Sequence, residues 1–367
     1  MTASESVRAA VQTGPLAYEI RELPRPRIGD DDGLLRIEAC GVCGSDVEQY
    51  RGHLVRPGMF PLIPGHEPLG VIEEVGDRAA ERWGVAPGDR VAVEILRPCR
   101  ACDYCLTGRY MSCPHRDGAY GMTPLSREPG LWGGFGELMY LHPWAILHKV
   151  SKDLPPHLAV MFNPLGAGVR WAAFLGEVGL GETVLILGPG QRGLASVIAA
   201  RARGAGTIIV TGLGKDAGKL ALARELGADH TINVEEEDVV ARVTEITGGA
   251  MADVVLELTP MAAQPILDAV EAVRHSGRIV LAGLKGGKEI ALVTDRLINK
   301  GLTVKGAFGV NAEAYIEAIR IIESGRFPLE KLSSGAFELA DTEAAIQSLA
   351  DGDAVHVCVC PDGRSDH

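Results

Sequence analysis

Between about residues 160 and 305 the chain alternates two kinds of segment, and few folds accommodate that alternation. TVLILG (183–188), TIIVTG (207–212), ADVVLEL (252–258) and GRIVLAGL (277–284) are short, nearly continuous apolar runs, as expected of strands buried on both faces. Between them lie LASVIAARARG (194–204), DAGKLALARELG (216–227), EEEDVVARVTEITG (235–248) and AAQPILDAVEAVRHSG (262–277). Their apolar residues recur at i, i+3, i+4 and i+7, which is helix spacing. Strand followed by helix over this length predicts an α/β unit with a doubly wound parallel sheet. The first 150 residues have another rhythm. LLRIEACGVCGSD, GVIEEVG and DRVAVEIL read as strands broken by Gly/Pro turns, a β-rich lobe that carries its sites on loops. After residue 305, YIEAIRIIESG (315–325) predicts an amphipathic helix and AVHVCVC (354–360) a strand, a tail expected to return to the first lobe.

A length of 367 residues agrees with two domains rather than one core. No uncharged apolar run approaches about 18 residues, so no membrane span is expected. A net charge of −12 with scattered Lys and Arg predicts no nucleic-acid partner. The opening MTASESVRAAVQTGPLAYEI lacks a basic stretch followed by an apolar one, so no secretory signal is expected. Together with cysteines in ligand-like spacing, this predicts a cytoplasmic protein with reduced thiols.

LGPGQRGLA (187–195) sets Gly188, Gly190 and Gly193 in GxGxxG spacing, directly after a strand and opening a helix. That placement supplies a tight turn, close backbone approach to a pyrophosphate and helix N–H groups aimed at its charge. The next strand ends in TGLGKDAGK, with Thr211 and Gly212 where NAD-binding units usually hold an acid, and the first acid is Asp216. Lys215 and Lys219 tolerate a 2′-phosphate, a slight preference for NADP(H) over NAD(H); the alternative is that both are solvated helix-start residues.

Cys99, Cys102, Cys105 and Cys113 follow C-x2-C-x2-C-x7-C within a lobe spanning 97–115. Four thiolates close a tetrahedral Zn²⁺ site with no open position, so this site is structural. CGVCGSD (40–46) and PGHEP (64–68) supply Cys43, His66 and Glu67, one thiolate, one imidazole and one carboxylate. Such a set would leave a coordination place open, as a catalytic zinc requires, although each residue alone reads as readily as structural. Cys40, Cys358 and Cys360 read as core thiols.

CGVCGSD, PGHE, the four-cysteine lobe and LGPGQRG, in this order and spacing, resemble the zinc-dependent medium-chain dehydrogenase/reductase superfamily, which includes alcohol, sorbitol and threonine dehydrogenases. The resemblance covers about residues 15–360. It implies a GroES-like catalytic domain (1–160), a Rossmann NAD(P)-binding domain (161–304) and a return segment (305–367) completing the first. It implies that Cys43 and His66 bind a catalytic zinc and that Glu67 is the acid beside the metal. Ser45 would relay the alcohol proton, and the four lobe cysteines would hold the structural zinc. The implied activity is hydride transfer between a nicotinamide and an alcohol, ketone or aldehyde. Small-molecule substrates and a homodimer or homotetramer are implied as well, with TVKGAFG (303–309) a candidate edge.

Three positions depart from the family. Asn163, in FNPLGAGVRWA, stands where relatives carry a Glu, Asp or Cys ligand, and is expected in or next to the zinc shell. Glu48 replaces a His that ends the proton relay, leaving Glu48 or His53 as the exit. LSSGAFEL (332–339) lacks a Thr-His pair. Ile95, Trp132 and Trp171 are candidates for the substrate pocket, or for core. Two other readings stand beside the leading one: a zinc-independent double-bond reductase of the same superfamily, and a non-catalytic dinucleotide-binding protein.

Overall fold

The computed structural model describes residues 6–54, 56–352 and 354–363; the first five residues of the opening stretch lie outside these. Seven strands come first: β1 (Ser6–Gly14), β2 (Ala17–Pro24), β3 (Gly33–Gly41), β4 (Glu67–Val75), β5 (Arg90–Val93), β6 (Leu138–Leu141) and β7 (Leu147–Lys149). Six follow in the middle of the chain: β8 (Thr183–Leu187), β9 (Thr207–Gly212), β10 (His230–Asn233), β11 (Ala252–Glu257), β12 (Val273–Leu281) and β13 (Thr303–Gly306). β14 (Ser333–Phe337) and β15 (His356–Val359) end it.

The chain divides into two compact units, residues 1–163 with 329–367, and residues 164–328. In the first, β1 and β2 form a hairpin, and a mixed sheet runs β14-β15-β3-β4-β5-β7 with β6 also paired to β3. The tail joins this sheet: β15 pairs antiparallel with β3, Cys358 opposite Gly41. Leu34, Leu35 and Ile37 of β3, with Ile72 of β4 and Val91 of β5, centre its core. β3 is buried along most of its length, and β4 is buried over its first half and exposed towards its end.

The second unit is a six-stranded parallel sheet ordered β10-β9-β8-β11-β12-β13. This is the doubly wound arrangement, and its order reverses between β8 and β11, where such sheets bind ligands. Val184, Leu185 and Ile186 of β8 and Val254, Val255 and Leu256 of β11 are buried, which accounts for their unbroken apolar runs.

Several boundaries differ from the sequence reading. β10 was not anticipated, because HTIN is short and only Ile232 in it is apolar. Residues 273–277, expected to be helical, begin β12, since Val273 pairs with Ala252 and the helix stops at Ala272. Residues 305–328, assigned above to the return segment, belong to the second unit. The helix Ala312–Glu323 holds them there: Tyr315 and Val310 pack against Gly166, and Glu317 lies 3.9 Å from Arg203. The helical run Pro156–Leu175 passes a length-and-hydropathy test for a membrane span, but 78% of its apolar 18-residue window is buried, as in a core helix.

Candidate metal centres and dinucleotide site

β3 ends at Gly41, and Cys43 caps the helix Gly44–Tyr50 that follows. Ser45 and Asp46 therefore fall in the first turn of that helix, beside Cys43. Asp46 Oδ2 accepts the Cys43 N–H at 2.9 Å, which closes the turn. His66 precedes β4, and Glu67 opens it directly opposite Gly41. A Cβ on Gly41 would lie 2.5 Å from Glu67 Oε2, so a larger residue there would have to displace that carboxylate. Antiparallel pairing of β3 with β4 thus brings residues more than twenty positions apart to one point.

At that point the ligand atoms of Cys43, His66 and Glu67 all lie within 4.8 Å of one another, and all three residues are buried. His66 Nε2 stands 3.9 Å from Glu67 Oε1 and 3.2 Å from Ser45 Oγ, while Nδ1 lies 3.2 Å from Asp46 Oδ1. One carboxylate so orients both Cys43, through its backbone, and the His66 ring. Burial by itself would lower the His66 pKa, yet the Asp46 carboxylate and Cys43 outweigh it and hold the value well above the ordinary histidine range. A site that stabilises positive charge on an imidazole next to a thiol and a carboxylate suits a cation.

Asp46 was quoted in the sequence motif but not singled out; an acid in a helix's first turn ordinarily reads as a cap, and only the fold brings His66 to it. His356 of β15 was missed too. Its Nε2 would lie 3.4 Å from a Cβ on Gly41, both ring nitrogens lack a hydrogen-bond partner among the described residues, and burial lowers its pKa to about 4. Asn163 is fully buried at the start of the helix Phe162–Val169. Glu48 and His53, the alternative proton exits, are one exposed pair 2.7 Å apart. Ile95 is half-buried, whereas Trp132 is core, packed edge-on to Tyr140 with its centroid 5.0 Å away. Trp171 is buried under the Arg192 guanidinium.

The four lobe sulfurs approach at 3.5 Å (Cys99–Cys113), 3.6 Å (Cys102–Cys105), 3.7 Å (Cys102–Cys113) and 3.9 Å (Cys99–Cys105). A tetrahedron with Zn–S bonds of about 2.3 Å has edges of about 3.8 Å, so the four thiols fit a zinc ion without rearrangement. Backbone N–H groups of Ala101 and Cys102 help lower the Cys99 thiol to about 6, while burial and the neighbouring sulfurs push Cys105 up to about 12. Crowded thiols that cannot all ionise unaided are what a bound cation relieves.

In the second unit, Gly188 follows β8 at φ +109°, Gly190 caps the helix Gln191–Ala202, and a Cβ on Gly193 would lie 2.0 Å from the Gly188 carbonyl oxygen. Gly193 is what lets the helix start against the strand, leaving its N-terminus open at the switch point. Thr211 is buried in β9 and its carbonyl accepts the Gly188 N–H at 3.2 Å; Lys215 is exposed on the turn beyond. Thr259, not anticipated, also faces the turn, its hydroxyl donating to the Leu187 carbonyl at 3.1 Å.

Known proteins share this arrangement. Residues 29–152 match the family described as alcohol dehydrogenase GroES-like domain, and residues 193–324 the one described as zinc-binding dehydrogenase. The probable alcohol dehydrogenase of Mycobacterium tuberculosis is 45% identical over 349 residues, covering 94% of each chain. The erythritol/L-threitol dehydrogenase of Mycolicibacterium smegmatis is 32% identical over 97% of this chain and 98% of its own. A Sinorhizobium meliloti protein solved with bound NADP superposes with a TM-score of 0.86 at 26% identity, covering 97% of this chain and 99% of that one. The chain belongs to the zinc-type medium-chain dehydrogenase/reductase family and is a zinc-dependent oxidoreductase that uses a nicotinamide cofactor.

Proposed function

We propose that the chain oxidises a small or medium alcohol or polyol, or reduces the matching ketone or aldehyde, with one structural zinc at Cys99, Cys102, Cys105 and Cys113 and one catalytic zinc at Cys43, His66 and Glu67. The observation that carries this reading is the buried convergence of those last three donors within 4.8 Å. The likeness to erythritol/L-threitol dehydrogenase and to the Bacillus subtilis sorbitol dehydrogenase, 32% identical over 94% of both chains, supports the polyol class.

When bound, zinc supplies Lewis-acid polarisation of a substrate oxygen, and the nicotinamide supplies or accepts hydride. The chain's own residues do the rest. Asp46 fixes the His66 ring with Nε2 towards the donor set. Ser45 holds its hydroxyl 3.2 Å from that nitrogen, where it can take a proton from a substrate alcohol and hand it outward. Asn163 contributes a neutral amide in or next to the metal shell in place of a third anionic ligand. Fewer anionic ligands leave more positive charge to polarise substrate. Gly188, Gly190 and Gly193 cradle the pyrophosphate, and Thr211 and Lys215 stand at the adenosine end.

Eight cysteines free of disulfides support a reducing, cytoplasmic setting. A homodimer or homotetramer is supported by β13, an edge strand whose Val304 is exposed, with Phe308 exposed just beyond it. The test is turnover of a panel of polyols and secondary alcohols followed at the nicotinamide absorbance, before and after zinc removal. Activity lost on chelation and restored by Zn²⁺ is expected; reduction of enones that survives chelation would contradict it.

A further inference from the structure

The geometry points to Glu235 as the residue that selects the cofactor's adenosine end, favouring a free ribose 2′-hydroxyl over a 2′-phosphate; this rests on the nicotinamide-binding reading above. In dinucleotide-binding sheets the second strand usually ends in an acid that holds the ribose hydroxyls. Here β9 ends in Gly212, which has no room for one: a Cβ would lie 2.8 Å from Pro189 Cγ in the glycine-rich turn. The same contact places the end of β9 against that turn.

Carboxylates reach this place from elsewhere. β10 runs parallel to β9 with Asn233 opposite Gly212, so Glu235, two residues on, arrives beside the turn leaving β9. Glu235 Oε2 accepts the Gly214 N–H at 2.7 Å, and Asp216 Oδ2 accepts the Leu213 N–H at 3.1 Å. Two successive backbone donors that a phosphate would use are therefore already held by anions. Lys219, read from the sequence as a candidate phosphate partner, lies 3.8 Å from Asp216. Lys215 is exposed, where water and salt screen its charge.

A phosphate dianion entering between two carboxylates meets like charge and occupied donors. A 2′-hydroxyl meets carboxylate oxygens to which it can donate. Glu235 thus takes over, from a neighbouring strand, the part that a side chain at Gly212 cannot play. The NADP-bound relative marks the opposite choice as open to this fold.

The test is calorimetric binding of 5′-AMP and adenosine 2′,5′-bisphosphate to the full-length protein and to Glu235→Gln and Glu235→Ala. Glu235 is exposed, so both substitutions leave the core intact. Glutamine keeps a carbonyl for the Gly214 N–H and removes only the charge; alanine removes both. The wild type is expected to prefer 5′-AMP, with the preference shifting towards the bisphosphate by about tenfold in Glu235→Gln and further in Glu235→Ala. A wild type that prefers the bisphosphate, or a ratio unchanged in both variants, overturns the assignment. Binding of neither nucleotide would instead overturn the dinucleotide site itself.

Discussion

The first unit holds two groups of side chains that could hold a metal, and they are built in opposite ways. The lobe cysteines are shallow: Cys99, Cys102 and Cys105 are partly exposed, and short turns around the helix Asp103–Leu106 carry them. Side chains tie the lobe to the body, among them Tyr110, whose hydroxyl donates to Glu94 at 2.7 Å. Cys43, His66 and Glu67 are buried at a sheet end, and Asp46 orients two of the three. On the proposed reading, the difference follows from what each metal would have to do. A structural ion orders its own loop, so the donors need only be close. A catalytic ion must hold a substrate in one geometry, so its ligands are fixed before it arrives.

That contrast can be broken by substitution. The largest effect is expected from Cys43→Ser, which should lower kcat/KM by more than about a hundredfold, beyond the 10–100-fold typical of outer partners, with little change in thermal midpoint. A variant that melts early would make this centre structural as well. Ser45→Ala should lower kcat by about a hundredfold, the lower end for general acid–base groups, with zinc content unchanged. Loss of zinc in that variant would turn Ser45 into a support for His66. Asp46→Asn should weaken zinc binding at the Cys43 centre by about 10–100-fold, read by competition with a chromogenic chelator. An unchanged affinity would remove the preorganisation argument. Cys102→Ser should lower the thermal midpoint by a few degrees and make 97–115 sensitive to protease, with less effect on kcat than any of these. Asn163→Asp should raise zinc affinity several-fold if position 163 faces the metal, the smallest change of the five.

The same contrast explains what could be read from the sequence. The lobe and the glycine-rich turn were legible because their parts are close along the chain: C-x2-C-x2-C-x7-C and GxGxxG each lie within one loop. The parallel sheet was legible from short, nearly continuous apolar runs, except β10, too short and polar to register, and the start of β12, where Val273 fits helix spacing as well as a strand. What stayed hidden were residues whose meaning comes from distant partners. Asp46 needs His66 brought to it by β3–β4 pairing, His356 needs β15 beside Gly41, and Glu235 needs β10 in register with β9. Residues 305–328 were misplaced for a similar reason: a helix pattern shows that one face is apolar, not which unit covers it.

The most direct test of the account is zinc per chain, by elemental analysis of freshly purified wild type, Cys43→Ser and Cys102→Ser. Two buildable centres predict close to two zincs in the wild type and close to one in each variant, with turnover lost in Cys43→Ser alone. One zinc in the wild type, unchanged in Cys43→Ser, would contradict it by leaving only the cysteine lobe loaded.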